Sequence, residues 1–255
     1  MRLIDTHTHV YLPEFDADRD EVIKRAVSND VVKLLMPNVN VQTVDALLSV
    51  AERYPGICLP MSGLHPTSAK DDFRSQLDTI EDLFSKHRFI AVGEIGIDLY
   101  WDKTFLKEQI AVFREQVAFA IKAGLPVVIH SRGSFPEIFR VLEEFKGEKL
   151  KGVFHAFSGT LIDAEKALNM GFKIGIGGVI TFKNSGLDKI AKESGPDHII
   201  LETDSPYLAP VPFRGRRNES SWLPLINRRL AEILEMSEEQ TASKTYLNSV
   251  ELFNL

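Results

Sequence analysis

The stretch "RLIDTHTHVYLPEF" (2–15) begins as a short apolar run and breaks at once into two histidines, His7 and His9. In an open, doubly wound α/β sheet, the turn after the first strand usually carries a glycine-rich phosphate loop. Here that place is taken by "THTHVYLPEF" (6–15), which contains no glycine. Alternation along a strand puts His7 and His9 on one face, an arrangement that suits a shared ion. An isolated H-x-H is a weak signal, so its meaning rests on what the remaining chain supplies.

Apolar, β-rich runs recur at 2–6, 31–37, 56–63, 89–94, 126–130, 151–155, 172–178 and 198–204. Amphipathic stretches lie between them, at 18–29, 44–54, 106–124 and 135–145, and "WLPLINRRLAEILEMSEEQTASKTYLNSVELFNL" (222–255) reads as one or two more helices. Within 106–124, Ile110, Phe113, Val117 and Ile121 repeat at helical spacing. The strands are near-continuously apolar, as in parallel sheets buried on both faces. Eight strand–helix steps, each about 30 residues long, predict a closed (β/α)8 TIM barrel. No linker or low-complexity segment divides the chain, so residues 1–255 are expected to form a single domain.

Composition narrows the class without naming it. The 255 residues are 44% hydrophobic and 26% charged, ordinary values for a globular protein. One cysteine, Cys58, excludes an intrachain disulfide and fits a reducing compartment. No apolar run reaches the roughly 18 residues that span a bilayer, and the polar start is unlike a signal peptide. The expectation is a cytoplasmic protein with no membrane association and no inferable protein partner. A net charge of −6 leaves an anionic substrate open, because two bound divalent cations would add four local positive charges.

The unusual polar residues fall where the strands end. His7 and His9 close the first strand, His65 follows the third, and Glu94 ends the fourth. His130, His155 and Asp204 end the fifth, sixth and eighth. Each has an ordinary explanation alone: a locally bonded histidine, a buried glutamate paired with an Arg or Lys, an aspartate capping a turn. Together they would require six coincidences at equivalent positions on the rim where barrel active sites are built. Imidazoles and carboxylates ligate first-row divalent ions, and the two oxygens of Glu94 suit a bridge between a pair of them. In two-metal sites, ions about 3.5–4 Å apart share an attacking hydroxide and stabilise the charge that develops in displacement.

The motifs "IDTHTH" (4–9), "GLHP" (63–66), "VGEIGID" (92–98), "PVVIHSR" (126–132), "FHAFSGT" (154–160), "TFKN" (181–184) and "LETDSPYLAPVPFRGRRNE" (202–219) resemble the TatD family of metal-dependent deoxyribonucleases, in the amidohydrolase-like superfamily. The resemblance runs from residue 2 almost to the end. It implies that His7, His9, Glu94 and Asp204 hold one metal, and that Glu94 bridges to a second held by His130 and His155. It implies that His65 faces a substrate phosphate and that Asp204 also orients or deprotonates the attacking water, with Glu94 and Asp204 as the catalytic carboxylates. Arg216 and Asn218 would line or order the substrate rim. Ser220 stands where the family pattern usually has a proline, and "SRGSFPEIF" (131–139) lacks the acidic residue that family members often carry soon after the arginine. Asp98 keeps its place, as a partner to a ligand or as a loop cap.

The basic run "FRGRRN" (213–218) offers Arg214, Arg216 and Arg217 for phosphate contact, and Lys183 follows the seventh strand in a similar position. Tyr100 and Trp101 are placed to stack on a base or to pack a loop. His87 and His198 precede strands and are expected on the far face, and Cys58 reads as a small buried residue. The expected activity is hydrolysis of DNA phosphodiester bonds, exonuclease-like, on ends or single strands with little sequence preference, by a metal-bound hydroxide. Two ions are expected, zinc, manganese or magnesium. A hydrolase of a small ester, amide or lactone on the same site is the rival, and a non-catalytic nucleic-acid-binding protein is the alternative from another class.

Overall fold

The computed structural model describes residues 1–100 and 102–255, so the stacking expectation for Trp101 lies outside the described residues. A helix follows each strand in turn. The first half runs β1 (Leu3–Asp5), α1 (Arg19–Ser28), β2 (Val31–Pro37), α2 (Val44–Arg53), β3 (Cys58–Met61), α3 (Phe73–Lys86), β4 (Val92–Asp98) and α4 (Leu106–Ala123). The second runs β5 (Val127–Arg132), α5 (Phe135–Glu143), β6 (Gly152–Phe154), α6 (Leu161–Asn169), β7 (Lys173–Ile176), α7 (Leu187–Ser194), β8 (Ile199–Leu201) and α8 (Leu223–Leu234), with α9 (Glu238–Phe253) at the end. Local chemistry sets several boundaries. Thr160–Asp163 and Ser237–Gln240 form reciprocal capping boxes at the starts of α6 and α9. Gly124, at φ +66°, ends α4 in the left-handed conformation that lacks a Cβ penalty.

All strand pairs are parallel, in two sheets ordered β1-β2-β3 and β4-β5-β6-β7-β8. Single bridges close the two seams. Thr8 pairs with Ser205, and the Thr6 N–H donates to the Leu201 carbonyl at 3.0 Å. Ser62 pairs with Val92, and the Gly93 N–H donates to the Ser62 carbonyl at 2.9 Å. The result is the expected eight-stranded barrel.

Its interior contains Ile4, Leu35, Met61, Ala91, Val128, Val153 and Ile200, capped by Leu252 and Phe253 of α9. Asn248 of α9 donates its amide to the Pro196 and Ile199 carbonyls beside the start of β8, so α9 closes the bottom. A larger apolar shell, including Leu34, Ile95, Ile129, Phe154, Ile176 and Phe113, fills the space between strands and helices.

β4 differs from the expectation. It covers Val92–Asp98 rather than 89–94, so Glu94 lies within the strand instead of at its end. Val92 pairs with Val127 but Ile95 pairs with Ile129, so three steps on β4 match two on β5. One extra residue on a strand is a bulge, which re-aims a side chain without ending the ladder. Gly93 permits it: a Cβ there would lie 2.6 Å from the Val128 Cβ.

Candidate metal centre

Period-two alternation carries the interior upward into the site. On β5, Val128 is followed two positions later by His130; on β6, Val153 by His155; on β8, Ile200 by Glu202. Glu94 is the hub of what converges. Its Oε2 lies 3.2 Å from His7 Nε2 and 3.7 Å from His9 Nε2. Its Oε1 lies 2.8 Å from His130 Nδ1, 2.9 Å from His155 Nε2 and 3.3 Å from His65 Nε2. Asp204 Oδ1 approaches His9 Nε2 at 3.6 Å and His7 Nε2 at 3.8 Å. The structure therefore assembles all seven residues expected at the centre from six sectors of the barrel.

Three groups of these side chains bring their ligand atoms within 4.8 Å of one another: His7, His9 and Glu94; His7, His155 and Asp204; and His65, Glu94 and His130. Imidazole and carboxylate donors so packed are the chemistry of first-row divalent ions. The residues present fit such ions.

Contacts on the outer side of the His9, His130, His155 and His65 rings set which nitrogen faces the centre. Tyr11 donates its hydroxyl proton to the Pro37 carbonyl at 2.7 Å, so its oxygen, 3.2 Å away, accepts from His9 Nδ1. His9 Nε2 is left with a lone pair toward Glu94 and Asp204. Asp98 Oδ2 lies 2.9 Å from His130 Nε2, and Glu202 Oε1 lies 3.4 Å from His155 Nδ1, an ion-pair contact without hydrogen-bond alignment. Acceptors behind ligating imidazoles orient them and raise their basicity. His65 is reversed: the Thr67 N–H donates to its Nδ1 at 3.2 Å, leaving a proton on the Nε2 that faces inward.

The charges follow from burial and proximity. Burial pushes Glu94 up, but His155, His65, His7 and the His130 hydrogen bond outweigh it, holding its carboxyl well below the usual range. Burial likewise raises Asp204, and His9, His155 and His7 bring it below its ordinary value. Burial lowers His7 and His65. It also works to lower His155 and His130. Glu94 and Glu202 nevertheless hold His155 well above its ordinary value, and Asp98 and Glu94 raise His130.

The centre forms the floor of a cavity of about 730 Å³, whose lining includes His9, His65, Arg132, Phe157, Val179, Leu187, Tyr207 and Leu208. The substrate-rim residues expected from the sequence lie elsewhere. Lys183 is exposed in the turn after β7, and Arg216 is exposed with its guanidinium 5.8 Å from the Phe213 ring; neither lines the cavity. Arg217, expected as a phosphate contact, is committed to structure instead. It donates to Asp18 at 2.8 and 2.7 Å and to the Glu14 carbonyl at 2.6 Å. Arg25 grips Glu219 with two bonds, 3.0 and 2.6 Å. Buried Asn218 donates to the Thr203 and Tyr207 carbonyls, so it orders the rim rather than facing substrate. Arg132 Cζ stands 3.8 Å from the centroid of the exposed Tyr100 ring.

The family model for TatD-related DNase matches residues 4–254. The chain belongs to that family. It is 35% identical to the metal-dependent hydrolase YabD of Bacillus subtilis, over 99% of each chain. It is 30% identical to the 3′-5′ ssDNA/RNA exonuclease TatD of Pantoea vagans, over 99% of this chain and 100% of that one. The crystal structure of YjjV, a TatD homologue from Escherichia coli K12, superposes with a TM-score of 0.93 at 29% identity, covering 100% of this chain and 98% of that one.

In this TatD-family protein, sequence reasoning missed Tyr11 and Glu202. Glu202 offered a signal, standing two residues before Asp204 in "LETD", the same-face spacing on a strand. Tyr11 offered none, because a tyrosine after "HTHV" reads equally well as core. Among the described residues no helix is long and apolar enough to cross a membrane.

Proposed function

We propose that residues 1–255 form one catalytic domain that hydrolyses phosphodiester bonds of DNA, on single strands or ends, with little sequence preference and the aid of two divalent ions. The observation that carries this reading is the division of Glu94, one oxygen toward His7 and His9 and the other toward His130, His155 and His65. His7, His9, Glu94 and Asp204 would hold one ion, and Glu94, His130 and His155 the second. Bound ions supply Lewis-acid stabilisation of the phosphate and acidify water. The imidazole-rich donor set favours zinc or manganese over magnesium.

The protein's own groups supply the remainder. Asp204 is ionised and receives the proton of the attacking water at its carboxylate. His65, with Nε2 protonated by the Thr67 contact, donates to a non-bridging phosphate oxygen. The family relationship supports a nuclease, and the 3′-5′ ssDNA/RNA exonuclease of Pantoea vagans, as a relative, supports single-stranded nucleic acid as substrate. Cytoplasmic action is part of the same proposal and fits the single buried thiol of Cys58.

The test is cleavage of a labelled single-stranded DNA by metal-stripped protein, restored separately with zinc, manganese and magnesium. Glu94→Ala and Asp204→Ala proteins run alongside. Restored cleavage that both substitutions abolish is the expected result. Inactivity with every ion, from protein shown to rebind two, would transfer the proposal to a small ester, amide or lactone.

A further inference from the structure

Among the described residues, six other than glycine have a left-handed backbone: Asp30, Ala156, Asp204, Leu208, Glu235 and Asn254. Glu235 and Asn254 cap the ends of α8 and α9, where that conformation is ordinary, and Asp30 turns the chain just beyond α1. The other three all line the cavity. Two have evident reasons. Ala156 follows His155 and donates its N–H to Glu202, and Asp204 is itself part of the centre.

Leu208, at φ +53°, has no such reason. An apolar, branched side chain in a region that favours glycine is strained, and strain of this kind collects at functional sites. The β7–α7 connection holds it there: a Cβ on Gly178 would lie 2.1 Å from the Leu208 carbonyl oxygen. Burial does not repay the strain, since Leu208 is 39% exposed and its neighbour Tyr207 is 50% exposed. The Tyr207 ring stands edge-on to His9, centroids 6.2 Å apart, and its carbonyl is fastened by Asn218 at 2.7 Å. Phe157, Val179 and Leu187 line the same cavity. An apolar wall is thus continuous with the charged floor.

A group suited to both surfaces has a flat apolar face joined to an anion. We propose that Tyr207 and Leu208, with Phe157, Val179 and Leu187, receive the nucleobase adjoining the phosphodiester that is cut. This inference rests on the nuclease reading and adds a base-binding slot to it. Base contacts of this type tolerate any sequence, because every base presents an apolar π-face.

The experiment compares metal-loaded, full-length protein on a single-stranded oligonucleotide with the same strand carrying an abasic residue at one or the other terminus. For the unmodified protein, one abasic strand should show a KM about tenfold higher than the intact strand, the scale of one base stack. In Leu208→Gly the two strands should approach parity while the thermal midpoint does not fall, because glycine accepts this backbone freely. Leu208→Asn, which also tolerates the left-handed region, provides a second variant that keeps the backbone and loses the apolar contact. Equal KM for intact and abasic strands, or full discrimination retained by both variants, overturns the slot alone. Failure to cut any strand with zinc, manganese or magnesium overturns the nuclease reading and the slot together.

Discussion

The hydroxyl of Tyr11 lies 3.2 Å from His9 Nδ1 and gives its own proton to the Pro37 carbonyl, so one tyrosine determines which face of His9 can bind an ion. Tyr11→Phe keeps the ring and removes the acceptor. Expected is a ten- to hundredfold weaker ion at the His7–His9 side, the usual cost of losing a group behind a metal-bound imidazole. Titration against a chromophoric chelator should show one of two binding steps weakened and the other retained. Two equally weakened steps would assign Tyr11 a general packing role.

Asp5 makes stability depend on pH. Burial pushes its carboxyl from 3.8 up to about 7, although both the backbone N–H and the hydroxyl of Thr203 donate to it. A raised folded-state value means that the folded protein holds a proton the unfolded chain has released. The contribution is complete below the ordinary carboxyl range and is lost as pH rises through about 7. In chelator-treated protein, the melting temperature of the unmodified chain should therefore fall more steeply between pH 5 and 8 than that of Asp5→Asn. Parallel curves would show that Asp5 is ionised throughout.

The Asp18–Arg217 and Arg25–Glu219 pairs tie α1 and the residue before it to the loop after β8, the loop that supplies Asp204. These pairs are partly exposed, and Arg217→Ala should cost on the order of 1 kcal/mol, lowering the melting temperature by roughly 2–4 °C. Asp18 and Glu219 are both held below their ordinary values. Arg217 is the main cause for Asp18; for Glu219, Arg25 and Ser221 overcome burial. The clamp therefore stabilises the fold above the ordinary carboxyl range and fails as pH drops through the depressed values. Calorimetry should find the Arg217→Ala deficit in full at pH 7 and a smaller deficit at pH 3.

Cys58 opens β3 under full burial, which pushes its thiol up to about 12. Thiolate, not thiol, is the reactive form. An aromatic disulfide reagent at pH 8 should leave native protein unlabelled and react promptly in denaturant. Rapid labelling of the native protein would show that β3 opens to solvent.

Most of the barrel was legible because parallel strands buried on both faces read as uninterrupted apolar runs. The β2 limits, 31–37, matched the sequence, and the four helices read from periodicity matched within two residues. The displacement at β4 has a local cause. "FIAVGE" is apolar from its first residue, but the ladder begins only at Val92 and continues to Asp98. Apolarity records burial, whereas strand limits depend on the neighbour's hydrogen bonds. The arginine cluster 213–218 shows the same separation. Arg217 became a structural clamp because Asp18 and Glu14 lie against it, 199 and 203 positions away in sequence.

By itself the sequence determined which side chains could meet, since residues at equivalent ends of eight parallel strands must share one rim. It thereby named His7, His9, His65, Glu94, His130, His155 and Asp204. The tertiary structure alone decided how they meet. The bulge at β4 turns Glu94 inward to face two histidine groups with two oxygens, and Tyr11, Asp98, Glu202 and Thr67 set the rings around it. A strand pattern repeats every two residues and specifies a face; a proton's place on an imidazole depends on a partner brought close only by folding.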